Sequence, residues 1–244
     1  MLTITSPHNP TIKVIRSLAE KKHRQEHGLF VAEGAKVLDR ARQEGWEPVY
    51  LLATGHAEPW GKAALMRVDE KIMGQISAQK NPPEVIGVFR QRWGEVAPQG
   101  TWVALEDMRD PGNLGTIIRT ADAAGAQGVI LAGQSCDPYS PDCVRATMGS
   151  IFAMPLVKME QKPFINLLKA WPGESVGTQM KAKESYRRRY ASPTLLVMGS
   201  EGKGLSEDAA AACSTLVAIP MKGGAESLNV AIATGLMLFE AHKL

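Results

Sequence analysis

Cysteine is scarce: three residues in 244, Cys136, Cys143 and Cys213, with no metal-ligand spacing among them. A sparse, odd set excludes a disulfide-stapled scaffold and predicts a reduced, cytoplasmic protein without structural disulfides. Long apolar runs are missing too. None approaches the roughly 20 residues that a membrane span needs, so no membrane partner is expected. The N-terminus, Met1-Leu2-Thr3-Ile4-Thr5-Ser6-Pro7, lacks the basic and apolar regions of a signal peptide. No His-Glu-x-x-His, Cys-x-x-Cys or Gly-x-Ser-x-Gly occurs, and no metal ligand is predicted. The five histidines (His8, His23, His27, His56, His242) are scattered through the chain. None lies near the glycine-rich segments of the second half, which argues against histidine acid–base chemistry there.

What is present is ordinary in amount and uneven in position. Hydrophobic residues make up 44% and charged residues 22%, the balance of a soluble globular chain with ample material for a core. The net charge of +3 divides unequally. Residues 1–100 hold 14 Lys and Arg against 11 Asp and Glu, whereas residues 101–244 hold 14 of each. The N-terminal excess gathers at Lys13, Arg16, Lys21, Lys22 and Arg24, with His23 and His27 beside them. A second basic knot is Lys181, Lys183, Arg187, Arg188 and Arg189, opposed locally by Glu184. Such clusters suit a phosphate backbone, but a solvated face is the commoner role of a charge run, by about two to one; alone, neither cluster establishes a nucleic-acid partner.

The stretch 91–101 carries Pro and Gly without periodicity and reads as a boundary. It gives an N-terminal domain over 1–92, a linker over 93–101 and a C-terminal domain over 102–244. In the first, strands are predicted at 29–32, 49–53, 65–68 and 85–89, and helices at 12–25, 35–44 and 70–76. In the second, strands are predicted at 102–105, 128–131, 154–157, 175–178, 195–198 and 216–219. Helices are predicted there at 114–124, 142–150, 164–170, 206–212 and 228–242. Alternating strand and helix implies an α/β fold, with a mainly parallel sheet carrying helices on both faces. In the last helix Leu228, Ile232, Leu236 and Phe239 share one face, while Ala231, Ala233 and Gly235 keep other faces slim. In the first helix of the C-terminal domain, Leu114, Ile117 or Ile118, and Ala121 form an apolar stripe. Arg119 falls off it, free to reach a ligand, a second subunit or water. Trp93 and Trp102 read as packing residues.

Three segments of the second half put glycine or polar residues where an apolar strand meets a helix, which is where open α/β sheets bind ligands. They are Asn113-Leu114-Gly115 with Arg119-Thr120-Ala121; Met198-Gly199-Ser200-Glu201-Gly202-Lys203-Gly204-Leu205-Ser206; and Ile219-Pro220-Met221 leading to Ser227-Leu228-Asn229-Val230-Ala231. Glycine lets a ligand approach the main chain, and each segment also reads as a plain turn. The order Gly199-x-x-Gly202-x-Gly204 is not a dinucleotide fingerprint. Gly202-Lys203-Gly204 fails the phosphate loop at the residue after Lys203.

Together, in order and spacing, these segments resemble the three motifs of the SpoU/TrmH branch of the SPOUT RNA methyltransferases. Residues 9–34, with Arg16-Ser17-Leu18 and Phe30-Val31-Ala32-Glu33-Gly34, resemble that family's ribosomal-protein-like, RNA-binding N-terminal domain. The resemblance implies methyl transfer from S-adenosylmethionine to a ribose 2′-hydroxyl, with ribosomal RNA the first choice of substrate and transfer RNA the second. It also implies a C-terminal trefoil knot and a homodimer packed through the knot region. It implies that Met198, Gly199, Glu201, Gly202, Ile219, Met221 and Leu228 hold the donor. Asn113, Glu201, Ser227 and Asn229 would position the reacting groups around Arg119. The family assigns proton removal to the residue matching Arg119, yet guanidinium groups keep their proton in proteins. Two versions stand: transient deprotonation in a closed site, or stabilisation of the forming alkoxide while the proton leaves elsewhere. Lys13, Arg16, Lys21, Lys22, Arg24 and Arg145 are the candidate RNA contacts. Two other classes compete: a non-catalytic RNA-binding or ribosome-assembly module, and a nucleotide-dependent dehydrogenase.

Overall fold

A computed structural model describes residues 2–242. In chain order the first elements are β1 (Leu2–Ile4), α1 (Pro10–Ser17), α2 (Lys21–His27), β2 (Leu29–Glu33) and α3 (Ala35–Gln43). They are followed by β3 (Tyr50–Ala53), β4 (Ala64–Val68), α4 (Glu70–Ile76) and β5 (Val85–Arg90). Next come β6 (Thr101–Glu106), α5 (Pro111–Ala124), β7 (Gly128–Ala132), α6 (Pro141–Ala146) and β8 (Leu156–Met159). The chain continues through α7 (Gln161–Ala170), β9 (Glu174–Thr178), β10 (Glu184–Ser185), β11 (Thr194–Met198), α8 (Glu207–Ala212), β12 (Thr215–Ala218) and α9 (Val230–Ala241). Two compact units result: Met1–Arg92 with Asp137–Ala153, and Trp93–Cys136 with Met154–Leu244.

The first unit is a five-stranded sheet in the order β1-β4-β3-β5-β2. β1, β3 and β4 run parallel, and β5 pairs antiparallel with both β3 and β2. One core joins Ile12, Ile15 and Leu18 to Leu52, Met66, Ile72 and Ile86. An aromatic cluster forms around Phe30, whose ring centroid is 4.7 Å from Tyr139 and 5.8 Å from Phe152. Those two rings come from the segment 137–153. The indole of Trp46 also donates to Phe152 O at 2.8 Å, and the Tyr139 hydroxyl bonds Arg92 O. Burial pushes the Tyr139 phenol up to about 12, so it stays a neutral donor at physiological pH. Segment 137–153 thus packs with the N-terminal unit, whereas the boundary read from composition assigns all of 102–244 to the second domain. The reason is aromatic burial, which no local Pro/Gly signal announces. The single helix expected over 12–25 is two helices. α1 starts at Pro10 behind the Asn9 cap, and α2 runs to His27 before the left-handed Gly28.

The second unit is a seven-stranded, all-parallel sheet in the order β10-β12-β9-β11-β6-β7-β8. Its central strands β6, β7 and β11 are buried throughout, as a sheet covered on both faces requires. Trp102, Ala104, Ile130, Leu195 and Val197 face α7 and α8 through Phe164, Leu168 and Ala209. α5 packs on β7, α9 packs on β11, and α5 and α9 pack on each other. After β6 the chain steps outward through β7 to β8, then crosses to the far side for β9. That reversal puts the carboxyl ends of β6 and β11 side by side at the switch point where such sheets take ligands. Trp102 is buried as expected, but Trp93 is 44% exposed rather than packed inside.

Candidate active site

Each of the three segments begins at the carboxyl end of a strand in the second unit. β6 ends at Glu106, β11 at Met198 and β12 at Ala218. After β6, Asp110 caps α5: its side chain accepts from the Asn113 amide at 2.6 Å, and Pro111 fills the first turn. This brings the Asn113 side chain to the start of the helix. After β12, an extended run leads to Asn229, whose carbonyl oxygen caps α9 by accepting from Ala231 N at 2.9 Å and Ile232 N at 3.3 Å.

The loop after β11 closes on itself. Ser200 and Gly204 exchange backbone hydrogen bonds at 2.9 and 3.2 Å. A Cβ on Gly199 would lie 2.0 Å from the Gly204 carbonyl carbon and 2.2 Å from Leu205 N, so only glycine permits the closure. Buried Glu106 fixes the far end of the loop. Its carboxylate accepts from Ser206 N at 2.8 Å and from Ser206 Oγ at 2.6 Å, and it also holds the Gln161 amide. Ser206 in turn caps α8 through Ala209 N.

These supports converge on one chain of side-chain bonds. Asn229 Nδ2 donates to Asn113 Oδ1 at 2.9 Å, and Asn113 Nδ2 donates to Glu201 Oε1 at 3.2 Å. The three segments, 116 residues apart at their extremes, therefore meet. Met198 is buried at the strand end, with the Thr178 hydroxyl 3.8 Å from its sulfur. Gly202, Met221 and Ser227 are exposed, and Ile219 and Leu228 are half-buried. Among the described residues, 219–228 make no backbone–backbone hydrogen bond, so their peptide groups are available to a ligand. Arg119 is exposed on α5 and bonds to none of Asn113, Glu201 or Asn229 among the described contacts. The apolar stripe beneath it, Leu114, Ile117, Ile118 and Ala121, is buried as expected.

Sequence reasoning passed over three supports. Glu106 and Thr178 carry no local signal, because each acts across the sheet on a residue far away in sequence. Asp110 was legible as an Asp-Pro helix start. Two cavities, of about 460 and 330 Å³, both lie in the first unit, and the motif residues line neither.

The candidate RNA contacts divide. Lys13, Arg16, Lys21, Lys22 and Arg145 are exposed, the last paired to Asp142 at 2.8 Å. Arg24 corrects the expectation. It is 3% exposed, ion-paired to Asp137 at 2.8 Å, and donates to Leu18 O and Ala19 O at 2.8 Å. Its guanidinium is committed inside the unit and is withdrawn from any phosphate. In the second basic knot Arg188 is likewise engaged, by Glu174 and by Glu184 at 2.9 Å.

Comparison with known proteins then decides the family. The sequence model of the SpoU rRNA Methylase family matches residues 100–239, and that of the MRM3-like substrate binding domain matches residues 9–87. This chain belongs to the SpoU rRNA methylase family. It is 42% identical, at a TM-score of 0.90, to an AdoMet-bound rRNA methyltransferase from Sinorhizobium meliloti, covering 98% of this chain and 96% of that one. It is 32% identical to the 23S rRNA (uridine(2479)-2′-O)-methyltransferase of Streptomyces viridochromogenes, over 92% of this chain and 86% of that protein. It is 28% identical to the 23S rRNA (guanosine(2553)-2′-O)-methyltransferase RlmP of Bacillus subtilis, over 98% of both. Among the described residues no helix is long and apolar enough to cross a membrane.

Proposed function

We propose that this SpoU-family protein methylates a ribose 2′-hydroxyl of ribosomal RNA, with S-adenosylmethionine as donor. The observation that carries the reading is the Asn229–Asn113–Glu201 chain, which ties all three motifs into one site. The relatives named for uridine and for guanosine share the ribose oxygen, not the base, as the atom modified.

The residues present fit the donor. Free peptide groups along 219–228, half-buried Ile219 and Leu228, and buried Met198 offer the main-chain donors and apolar walls that an adenosine needs. S-Adenosylmethionine supplies an electrophilic methyl carbon on a sulfonium, so the protein's task is to position and to stabilise charge. Gly199, Gly202, Ile219, Met221 and Leu228 would hold the donor. Glu201, bonded to Asn113 at 3.2 Å, would position the reacting groups together with Ser227 and Asn229.

Arg119 is assigned to the ribose oxygen, where its planar fork stabilises charge building on that atom as the bond to carbon forms. Its exposure on α5 suits a site completed by a second copy. The α9 stripe Ile232, Leu236 and Phe239 is 57%, 38% and 57% exposed, an apolar face of the kind that marks an interaction surface. We assign it to a homodimer contact next to a knotted C-terminal segment, in a cytoplasmic enzyme. Lys13, Arg16, Lys21, Lys22 and Arg145 would bind the RNA backbone. Calorimetric titration tests the donor site: wild type and Arg119→Ala should bind S-adenosylmethionine equally, and a Gly199→Ala protein should not. A donor affinity unmoved by Gly199→Ala removes the site from this loop.

A further inference from the structure

The first unit carries a cluster that methyl transfer does not use. On α2, His23 and His27 stand one turn apart, and Glu26 lies on the same face. One ligand atom from each of these three residues lies within 4.8 Å of the other two. His23 Nδ1 and Glu26 Oε2 are 3.2 Å apart, and the two imidazoles stack with centroids separated by 6.5 Å at 26°. Glu20 brings a second carboxylate to within 4.0 Å of His23 Nε2. The sequence reading ended this helix at Gln25 and counted the histidines as scattered. With the helix carried to His27, the pair becomes an i,i+4 chelate.

The alternative is a solvated face on which His23 pairs with Glu20 and Glu26. Two features favour a site. The helix is anchored from its other side, where buried Arg24 bonds Asp137, Leu18 O and Ala19 O. The ligand face is thereby held by the Arg24 anchor in addition to its own pairs. Two of the donors, Glu26 and His27, also lie at the C-terminal turn, where the helix dipole favours a cation.

We propose that His23, Glu26 and His27 bind a divalent transition-metal ion, with zinc the representative of the class. Imidazole nitrogens with one carboxylate suit zinc, copper or nickel rather than magnesium or calcium. The run His23-Arg24-Gln25-Glu26-His27 has the His-x-x-Glu-His spacing of a class of zinc hydrolases. Hydrolysis is not inferred, because catalytic zinc sites sit in shaped, water-excluding cavities, and here Glu26 and His27 are exposed. The site binds and stiffens α2, with the fourth position left to solvent and Glu20 as the partner of the other ring nitrogen of His23.

Calorimetric titration of the full-length protein with zinc chloride tests this. One zinc per chain should bind. His23→Ala and His27→Ala should each weaken it by more than the ~10-fold that losing even an outer-shell partner costs. A Cys136→Ser/Cys213→Ser variant should bind as wild type, and a large excess of magnesium should not compete. All four side chains lie at least partly in solvent, so circular dichroism should report unchanged folding. Zinc binding that is absent, unaffected by either histidine variant, lost with the cysteines or displaced by magnesium overturns the proposal.

Discussion

Asn229 holds two jobs at once, and its replacement separates them. Its oxygen caps α9 while its amide reaches Asn113. Asn229→Ala should cost about 1 kcal/mol in chemical denaturation, the usual loss of an N-cap. Methyl transfer should fall much further than that stability change explains. Gly199 is a different kind of residue, fixed by the backbone approach of Gly204 rather than by a side chain it lacks. Gly199→Ala should destabilise the protein by about 1–3 kcal/mol through overpacking, seen as a lower denaturation midpoint. Glu174 contributes to the pH dependence of stability in acid. Burial alone would raise its carboxyl, but the Ala191 amide, Arg188 and Thr215 together hold it below its ordinary 4.5. A depressed carboxylate stabilises the fold above that ordinary value and loses the contribution as pH falls beneath it. Acid titration by circular dichroism should therefore show Glu174→Gln unfolding with a flatter dependence on pH below about 4.5. An identical acid profile in wild type and variant contradicts this role. Cys213, by contrast, is silent: burial pushes its thiol up to about 12, with Glu106 nearby adding to the effect.

α9 shows where pattern stops predicting surroundings. Its apolar residues run all round, so Leu228, Ile232, Leu236 and Phe239 sharing a face did not say which face is inside. The helix buries Val230, Ala231, Thr234, Met237 and Leu238 and leaves the predicted stripe outward. Gly235 lies over Thr120 of α5, in keeping with the slim faces read from the sequence. If the proposed α9 contact holds, the wild type should sediment as a dimer and Phe239→Glu or Ile232→Glu as a folded monomer. A monomeric wild type removes the dimer contact from α9. Strand and helix alternation in the second half was legible because buried parallel strands are continuous apolar runs: 102–105, 128–131 and 195–198 all fall inside observed strands. The short β1 and β10 were not, since two or three residues carry no period. The motif spacing likewise singled out the three segments that the Asn229–Asn113–Glu201 bonds join, while Glu106 and the placement of 137–153 depend on contacts between distant residues, which no window along the chain contains.

In the whole molecule, the sheet's reversal point gathers the candidate chemistry in the second unit, while the exposed basic residues of the N-terminal segment lie in the first. If Lys13, Lys21 and Lys22 meet phosphates, neutralising all three should lower the logarithmic salt slope of RNA binding by about 0.7–0.9 per residue. Arg24→Ala should instead destabilise the first unit by about 3–5 kcal/mol, the result of breaking a buried pair. The central claim, that a ribose oxygen of ribosomal RNA receives the methyl group at the Asn113–Glu201–Asn229 site, has one direct measurement. Ribosomal RNA incubated with the protein and isotopically labelled S-adenosylmethionine is digested to nucleosides and analysed by mass spectrometry. The account predicts a labelled 2′-O-methylnucleoside that disappears with Arg119→Ala; label on a base, or an undiminished yield from Arg119→Ala, contradicts it.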